Sequence, residues 1–566
     1  MSDPSGRAGT VRWVPGVEAR AGKFPGPSLI PELNAIQARL GWLPREALEE
    51  LAREARRPRY EIEGLISFYP HFRTEPPTKV ALHVCHDLAC YLRDGEARIE
   101  ELRQRYGPDA DVELVEVSCL GRCDIAPALA VNEQPGTVAD VERLVAGARA
   151  GKVEDIPART RTEPWPNDPY PSAAEVSDRY STLRALLAGE LDADVVIATL
   201  KESGLRGMGG AGFPTGQKWE LVRATEPGSV KYVICNADES EPGTFKDRQI
   251  LATEPHLVLE GLLIGMAVVG AEEGWVFIRH EYGLEERVLR DEIETLRAAG
   301  VVGPDACGSG RRLDVEVFVS PGGYILGEET ALLECMEGHR GEPRNKPPFP
   351  GNYGLHGRPT LMNSVETFAD VPVIVQRGAR WWADQGVGES VGWKFFAVSG
   401  HVERPDVYCV PMGTTVRELI ELAGGVTDGA AVGAMQPGGA SSNFIGSEQL
   451  DMQLDFATAA KAGTMLGSGA LVVLAEGSDL LAASTNVLRF FRNESCGKCV
   501  PCRIGSTKAY AQLSEVLSSG VSVLDEEHRG RILQLEETMR KTSICGLGQV
   551  ALGPVVSVLG LGQPAR

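Results

Sequence analysis

The sequence predicts a multidomain α/β protein, and three observations support this prediction. With 566 residues the chain is too long for one compact core. Strand-like runs such as VKYVICNADE (230–239) and GWVFIRHE (274–281) alternate with amphipathic helical runs such as 285–300, the pattern of an α/β domain. Eight of the 12 cysteines form two groups with short internal spacings, one towards each end of the chain.

Composition and charge narrow the classes of partner. The formal net charge is −21, so nucleic acid and an anionic membrane surface are not expected to bind. The N-terminus, MSDPSGRAGTVRW, lacks the apolar core of a signal peptide. The most apolar stretch (256–273) is interrupted by Glu260 and is shorter than a bilayer span. We therefore expect a cytoplasmic protein without direct membrane insertion, peripheral to a membrane only through other subunits.

Periodicity and composition divide the chain into seven segments. Residues 1–27, rich in Gly and Pro, are expected to be a flexible N-terminus, and 151–175 is expected to be a proline-rich linker. Helical and strand-like spacing characterises the other five. These are a helical bundle (28–77), a small α/β unit (78–150), a large α/β domain (176–392), a compact α+β module (393–475) and a helical C-terminal domain (476–566).

The C-terminal cysteine group predicts a metal centre. CGKCVPC places Cys496, Cys499 and Cys502 in one loop, and Cys545 in SICGLG supplies a fourth thiol. Three ligands from one loop and one distant ligand favour a [4Fe–4S] cluster. Structural zinc is the alternative, although such sites usually combine two separated C-x-x-C pairs.

The N-terminal group has the spacings C-x4-C and C-x3-C, each just past a predicted strand. A [2Fe–2S] cluster fits Cys85, Cys90, Cys119 and Cys123 because each iron can take one pair, and zinc remains the alternative. Two metal–thiolate centres without a general acid/base constellation between them argue for electron transfer. The other four cysteines are expected to be small buried hydrophobic residues: Cys235, Cys307, Cys335 and Cys409.

A glycine-rich loop, GLRGMGGAGFPTGQKW (204–219), matches the G-x-G-x-x-G expression of a dinucleotide-binding Rossmann fold. That fingerprint requires a strand before the first glycine and a helix at the last. Here the preceding residues (193–205) have helical spacing and Phe213-Pro214 follows the loop, so a Rossmann site is disfavoured. Six glycines in 204–216 still let the backbone approach a ring or a phosphate, and Lys218 can contact it.

Polar residues follow the apolar strand that precedes NADESEPGT. Ligand sites in α/β domains form at the carboxyl ends of strands, which is where this stretch lies. A solvated turn is the alternative interpretation. The candidate ligand-binding residues of this stretch are Asn236, Asp238, Glu239 and Glu241.

Residues 176–566 also contain the motifs YILGEETALLECMEG, KPPFP and RPTLMNSVET. Together with the glycine loop, NADESEPGTFKDR and the C-terminal cysteine motifs, they resemble the NADH-binding flavoprotein subunit of respiratory complex I. Its relatives are the diaphorase or β-subunits of NAD-dependent formate dehydrogenases and hydrogenases. In 28–150, SFYPHF, CHDLAC and SCLGRCDIAPALAVNE resemble the thioredoxin-like [2Fe–2S] subunit of the same assemblies.

The resemblance implies a fold and a function. The fold is an N-terminal helical bundle plus a thioredoxin-like [2Fe–2S] domain, a non-classical Rossmann-like FMN/NADH domain, a ubiquitin-like (SLBB) module and a C-terminal helical bundle with [4Fe–4S]. The implied activity is that of a diaphorase, which exchanges hydride between NAD(H) and FMN and single electrons between FMN and the clusters. The expected partners are NAD(H) and the iron–sulfur-rich and catalytic subunits of a larger complex. The fused [2Fe–2S] domain slightly favours a formate dehydrogenase-type complex over complex I or a hydrogenase.

The resemblance also implies roles for individual residues. The FMN-binding residues are expected to be Gly207, Gly209, Lys218, Asn236, Asp238, Glu239, Tyr324, Gly327, Glu328, Glu329 and Asn363. NADH is expected to lie over the flavin among Phe213, Glu241, Glu329, Lys346 and Phe349, with Glu241 and Glu329 as the catalytic candidates.

Three positions depart from the family pattern. Leu326 replaces a frequent Cys, Ser364 stands where a second Asn is common, and Leu221 replaces a frequent aromatic residue. None removes a charged group or a cluster ligand, so activity is expected to remain. Two other classes stay open at this point: a non-catalytic electron-transfer scaffold that has lost its flavin, and a structural zinc protein.

Overall fold

A computed structural model of the chain describes residues 28–152, 164–170, 175–225, 228–521 and 523–561. The expected flexible N-terminus (1–27) and most of the expected linker (153–163 and 171–174) lie outside the described residues.

The first described residues form three short helices, as the sequence predicts. Helix α1 ends at Gly41, whose φ of 80° is left-handed and whose amide donates to the carbonyl of Gln37. Their apolar faces share one hydrophobic cluster with helix α13 (Glu329–Met336) of the large α/β domain, for example through Leu33, Leu65 and Leu332. The helices are α1 (Ile30–Leu40), α2 (Arg45–Glu54) and α3 (Arg59–Ile66).

The small α/β unit is built on a four-stranded sheet of order β2-β1-β3-β4. Strands β1 and β2 are parallel, and the pairs β1/β3 and β3/β4 are antiparallel. Cys85 ends β1, and Cys119 follows β2 by two residues, so both lie at the same edge of the sheet. The elements are β1 (Val80–Cys85), α4 (Leu88–Tyr91), α5 (Gly95–Tyr106), β2 (Val112–Val117), β3 (Ala128–Val131), β4 (Gln134–Thr137) and α6 (Val141–Arg149).

The large domain contains a parallel sheet of order β7-β6-β5-β8. The chain runs outward from β5 to β7 and then returns to the other side of β5, so the order reverses between β5 and β8. A crevice at such a switch point is where open α/β sheets bind ligands. The elements are α7 (Ser181–Leu187), α8 (Ala193–Glu202), α9 (Thr215–Arg223), β5 (Tyr232–Ala237), α10 (Lys246–Thr253), α11 (Pro255–Val269), β6 (Glu273–Arg279), α12 (Gly283–Ala298), β7 (Asp314–Ser320), α13 (Glu329–Met336), β8 (Thr360–Ser364), α14 (Val365–Arg377) and α15 (Ala379–Ala383).

The α+β module has a five-stranded mixed sheet of order β10-β9-β13-β11-β12. Its helix α16 begins with a capping box in which Thr415 and Glu418 satisfy each other's backbone amides. The elements are β9 (Trp393–Gly400), β10 (Asp406–Pro411), α16 (Val416–Leu422), β11 (Val432–Gln436), β12 (Ile445–Gly446), α17 (Phe456–Lys461) and β13 (Ala470–Ala475).

The C-terminal domain is helical, as predicted. Its helices are α18 (Leu480–Asn493), α19 (Val500–Ser518), α20 (Glu526–Thr542), α21 (Gly546–Val550) and α22 (Gly553–Leu561). Cys499 and Cys545 are the residues that immediately precede α19 and α21.

Part of the expected linker packs against the large domain. Trp165, Asn167 and Tyr170 are buried, and their side chains donate hydrogen bonds to Thr253, Asp370 and Glu260 respectively. This contact was not visible in the sequence because its apolar residues show no periodicity.

Within the described ranges, no single helix is long and apolar enough to cross a membrane. Helices α10 and α11, which are bent by 95° relative to each other, meet the length and composition criteria only as a pair.

Candidate functional site

The glycine loop lies between two helices rather than between a strand and a helix. Helix α8 precedes it and α9 begins at Thr215, so the prediction that it is not a Rossmann loop is confirmed. The Gly207 amide donates to the carbonyl of Phe213 (2.8 Å), and the Met208 amide donates to Oγ1 of Thr367 in α14 (2.9 Å). The loop is therefore held at the carboxyl end of β8, beside the switch point.

Gly209 lies where an added side chain would make a tight contact with β8. A Cβ atom on this residue would be 3.0 Å from Cβ and 3.3 Å from Oγ of Ser364, at the end of β8. The close approach of loop and strand thus depends on the missing side chain.

Lys218 on α9 points towards the same crevice. Its Nζ donates to the carbonyl of Met362 in β8 (3.0 Å). Burial lowers the pKa of Lys218, and the nearby negative charge of Glu329 partly offsets this effect. Among the described residues Lys218 forms no ion pair, which leaves a half-buried cation suited to an anionic or electron-rich ligand.

Two asparagines fix the walls of the crevice. Asn236, near the end of β5, donates from Nδ2 to the carbonyl of Gly327 (2.9 Å). Asn363 in β8 accepts a hydrogen bond from Nε1 of Trp219 (3.0 Å). The structure therefore brings β5, β8 and the glycine loop together with the GEE segment (residues 324–329), as the resemblance implied.

The acidic residues after β5 have different surroundings. Asp238 accepts from Ser320 Oγ (3.2 Å) and from Ser240, and burial raises its pKa to about 6. The Glu239 carboxylate accepts the amides of Asp247 (2.8 Å) and Arg248 (3.0 Å) at the start of α10. Glu239 therefore uses its carboxylate as a helix cap, and burial raises its pKa to about 7.

Glu241 is held at the contact between the large domain and the α+β module. Its carboxylate accepts hydrogen bonds from the Tyr324 hydroxyl (2.6 Å), the Ser441 amide (2.5 Å) and the Ser441 hydroxyl (3.0 Å). Burial raises the pKa of Glu241, whereas these donors act in the opposite direction.

The GEE segment and the KPPFP loop are joined by an ion-pair cluster. Glu328 caps α13 by accepting the Thr330 (2.9 Å) and Ala331 (3.0 Å) amides. Lys346 Nζ lies 2.8 Å from Glu328 Oε1 and 2.6 Å from Glu329 Oε1. This cluster connects the KPPFP loop to the strand-end segments.

Two aromatic rings are unusually exposed. Phe213 beside the glycine loop is 41% exposed, and Phe349 in the KPPFP loop is 56% exposed. Large apolar side chains left open on such loops are suited to stacking on a planar ligand.

The four N-terminal thiols converge at the sheet edge of the small unit. Cys119 Sγ lies 3.6 Å from Cys123 Sγ, and the amides of Gly121 and Ala128 point at Cys119 Sγ (3.4 Å) and Cys90 Sγ (3.3 Å). Hydrogen bonding to Cys119 and Cys90 raises the pKa of Cys85, so these thiols are mutual neighbours. Four buried thiols with amide donors fit an iron–sulfur cluster.

The C-terminal thiols also form one group. Burial raises the pKa of Cys502 to about 11 and of Cys545 to about 12, with smaller contributions from Cys499 and Cys496 respectively. Thiols of this kind ionise when a metal supplies positive charge, which fits a bound cluster; Cys502 is buried and the other three are half-buried. Lys498 Nζ donates to the carbonyl of Pro343 (2.6 Å), and its charge lowers the pKa of Cys496 against the larger effect of burial.

Glu494 joins three domains close to both thiol groups. Its carboxylate accepts from Ser118 Oγ (2.6 Å), next to Cys119, and from the Tyr324 amide (2.8 Å). Sequence reasoning missed Glu494, and it also missed Ser441 and Arg279. Two sequence features could have pointed to two of these residues. Glu494 lies just before CGKCVPC, and Ser441 lies beside two glycines in PGGASSN.

Four family descriptions match consecutive parts of the chain. They are the thioredoxin-like [2Fe-2S] ferredoxin (22–147), the Nuo51 FMN-binding domain (200–373), the SLBB domain (395–442) and the NADH-ubiquinone oxidoreductase-F iron-sulfur binding region (482–561).

Individual proteins show the same relationship. NADP-reducing hydrogenase subunit HndC of Solidesulfovibrio fructosivorans is 40% identical over 365 residues, which cover 64% of this chain and 74% of that protein. An NADH-quinone oxidoreductase subunit of Rhizobium meliloti (strain 1021) is 44% identical over 350 residues, 62% of this chain and 83% of its own. A chain of the air-oxidised NAD⁺-reducing [NiFe]-hydrogenase superposes with a TM-score of 0.80 at 29% identity, covering 95% of this chain and 94% of that chain.

The matched domains confirm the expected cofactors, which are FMN, NAD(H), one [2Fe–2S] cluster and one [4Fe–4S] cluster. They also confirm the expected fold class. The chain belongs to the family of NADH-binding flavoprotein subunits of complex I and of NAD(P)-linked hydrogenases, and it is an NADH dehydrogenase-type oxidoreductase.

Proposed function

We propose that this chain is the diaphorase subunit of an NAD-linked complex, with its flavin site in the crevice between β5 and β8. The observation that carries the proposal is the position of Lys218, a half-buried cation without an ion-pair partner among the described residues, between the glycine loop and β8. When bound, FMN supplies the conversion between two-electron hydride chemistry and one-electron transfer to the clusters.

The FMN roles follow from the crevice walls. Gly207 and Gly209 bring the loop backbone close to the ligand, and Lys218 contributes positive charge. Asn236, Asp238, Tyr324, Gly327 and Asn363 line the opposite strand ends and the GEE segment. Glu239 and Glu328 act through the backbone, because their carboxylates cap α10 and α13.

The NADH roles belong to the outer part of the site. Phe213 and Phe349 expose faces suited to stacking on a nicotinamide or an adenine ring. Lys346 and Glu329 orient the dinucleotide through their ion-pair cluster. Glu241, held by Tyr324 and Ser441, orients the nicotinamide.

The eight clustered cysteines are the proposed cluster ligands. Cys85, Cys90, Cys119 and Cys123 hold the [2Fe–2S] cluster. The [4Fe–4S] ligands are Cys496, Cys499, Cys502 and Cys545. Glu494 accepts hydrogen bonds from Ser118, next to Cys119, and from the amide of Tyr324, which supports a flavin site near both thiol groups.

The electron-accepting partner is proposed to dock beside the [4Fe–4S] loop. Val500 (59% exposed) and Ile504 (42% exposed) lie four residues apart on α19, and the exposed Arg503 and Lys508 share that face. In a chain with a net charge of −21, a basic and apolar face suits an acidic iron–sulfur-rich subunit. Ile504→Asp should slow electron transfer to that subunit while NADH:ferricyanide activity remains.

The sequence favours a formate dehydrogenase-type complex, and we retain it as the proposed assembly, with a hydrogenase as the second candidate. The structural similarity to a chain of the NAD⁺-reducing hydrogenase, which extends over nearly the full length of this chain, favours the second candidate. Purification of the native complex separates them, since molybdenum or tungsten with formate oxidation supports the first and nickel with H₂ oxidation supports the second.

The site assignment is tested by Lys218→Ala. We expect a roughly tenfold or greater loss of bound flavin, measured by flavin fluorescence after denaturation, with unchanged iron content. Lys201→Ala is the matched control, because Lys201 lies on neighbouring α8 and pairs only with Glu220 at the surface (2.6 Å). Full flavin occupancy in Lys218→Ala would reject the site.

A further inference from the structure

Arg279 connects the proposed [2Fe–2S] ligand loop to the proposed flavin-binding segment. It is the last residue of β6 and is only 3% exposed. Its Nη2 donates to the carbonyl of Cys119 (2.7 Å), and its Nη1 donates to the carbonyl of Glu239 (2.5 Å). One guanidinium thus satisfies backbone oxygens on both sides of the contact between the two domains.

The charge of Arg279 is partly neutralised by one neighbouring carboxylate, Glu281. Glu281 accepts from Nε (2.9 Å) and from Nη2 (2.6 Å), and it also lies 3.4 Å from Nδ1 of His280. The Nη2 that donates to Glu281 also donates to the Cys119 carbonyl, and the positive charge of Arg279 lowers the pKa of Cys119. Because the residue is buried, its field at the thiols is weakly screened by water.

Reduction of an iron–sulfur cluster adds one negative charge. A buried positive charge near its ligands stabilises the reduced form and raises the reduction potential, whereas a nearby negative charge lowers it. Arg279 and Glu281 are therefore expected to have opposite effects on a cluster held by Cys119.

We propose that Arg279 is a positioning residue that holds the Cys119 loop against the flavin-binding segment and raises the reduction potential of the [2Fe–2S] cluster. Glu281 moderates this effect by partly neutralising the guanidinium. The inference rests on the proposed assignment of Cys85, Cys90, Cys119 and Cys123 as the ligands of that cluster.

The test is a redox titration of the purified full-length holoprotein, monitored by the EPR signal of the [2Fe–2S] cluster. At the wild-type midpoint potential, we expect less than half of the cluster to be reduced in Arg279→Met and more than half in Glu281→Gln. Arg279→Lys keeps the charge but cannot reach both carbonyls in the same way, so its midpoint should lie between those of wild type and Arg279→Met.

Opposite shifts separate an electrostatic role from general damage, because a loosened domain contact would move both variants in the same direction. Arg290→Met is the control: Arg290 is an exposed arginine on α12 paired with Glu286, and its loss should leave the midpoint unchanged.

Unchanged midpoints in Arg279→Met and Glu281→Gln, or shifts of the same sign, overturn the role of Arg279 while the cluster assignment stands. Absence of a [2Fe–2S] signal from the wild-type holoprotein overturns the cluster assignment and this inference with it. If Arg279→Met does not fold, Glu281→Gln and Arg279→Lys still decide the question.

Discussion

The hydroxyl of Tyr324 lies 2.6 Å from Oε2 of Glu241, and this hydrogen bond joins the GEE segment to the acidic segment that follows β5. Ser441 of the α+β module supplies the other donors to the same carboxylate. The GEE segment and the α+β module therefore hold the Glu241 carboxylate in position, and their donors favour its ionised form.

Tyr324→Phe should move the acid limb of NADH oxidation to higher pH. Burial already raises the pKa of Glu241, and the variant removes a donor that opposes this effect. A hydrogen bond to a carboxylate stabilises its ionised form, so loss of the Tyr324 hydroxyl raises the pKa of Glu241 further. The pH profile of kcat/KM for NADH:ferricyanide activity measures it.

Tyr408→Phe is the control for this change, since Tyr408 donates only to the carbonyl of Arg404 in the α+β module (2.7 Å). An acid limb that stays in place in Tyr324→Phe would show that ionised Glu241 is not needed for turnover.

Cys545→Ser should abolish the EPR signal of the [4Fe–4S] cluster and remove about four irons per chain. NADH should still reduce the flavin, because the proposed flavin residues lie on other elements. Anaerobic absorbance at the flavin maximum and iron analysis test both statements. Cys307→Ser replaces a half-buried cysteine outside both groups and should retain both signals. A persistent [4Fe–4S] signal in Cys545→Ser would mean that another residue is the fourth ligand.

Gly209→Ala should lower flavin occupancy, because the added Cβ would press on Ser364 and displace the glycine loop. A strain of about 1.4 kcal/mol would weaken the flavin affinity roughly tenfold. Fluorescence titration of the deflavinated protein measures this affinity. Ser364→Gly in the same chain should restore part of the affinity by removing the contacting atoms.

Gly283→Ala is the matched control, since no atom lies within 4 Å of the added Cβ. If Gly209→Ala binds flavin as tightly as wild type does, the close approach of the loop to β8 is not needed for binding.

Glu260→Gln should stabilise the protein above neutral pH. Glu260 is fully buried in α11, accepts a hydrogen bond from Tyr170 (2.7 Å), and burial raises its pKa to about 7 from an ordinary value of 4.5. The folded state therefore binds this proton more tightly than the unfolded chain does. The contribution of Glu260 to the free energy of unfolding falls as the pH rises from about 4.5 to about 7, and is level above that.

The melting temperature of Glu260→Gln should consequently exceed that of wild type by more at pH 8 than at pH 5. The control is Glu292→Gln, in which a half-buried glutamate also accepts a tyrosine hydrogen bond, from Tyr180 (2.7 Å). Equal effects of Glu260→Gln at both pH values would contradict the proposed proton linkage.

Much of the fold was predictable because its signals are local. The strand ending at Ala237, the helix before the glycine loop and both cysteine groups all follow from spacing within short windows, whereas helix α9 after the loop was not predicted. The packing of Trp165, in a segment expected to be a linker, was not predictable, because its hydrogen-bond partners Thr253 and Glu254 are about ninety residues away.

The sequence by itself determined the chemistry: eight thiols in two sets of four, a glycine loop followed by Lys218, and acidic residues after a buried strand. Only the tertiary structure decided how these groups act on one another. Arg279 donates to the carbonyl of Cys119, Ser118 donates to Glu494, and Ser441 donates to Glu241. Each pair crosses a domain contact, and the partners are 160, 376 and 200 positions apart in the sequence. Such pairs leave no periodic signal, because the burial that makes their hydrogen bonds strong arises only when separate domains pack together.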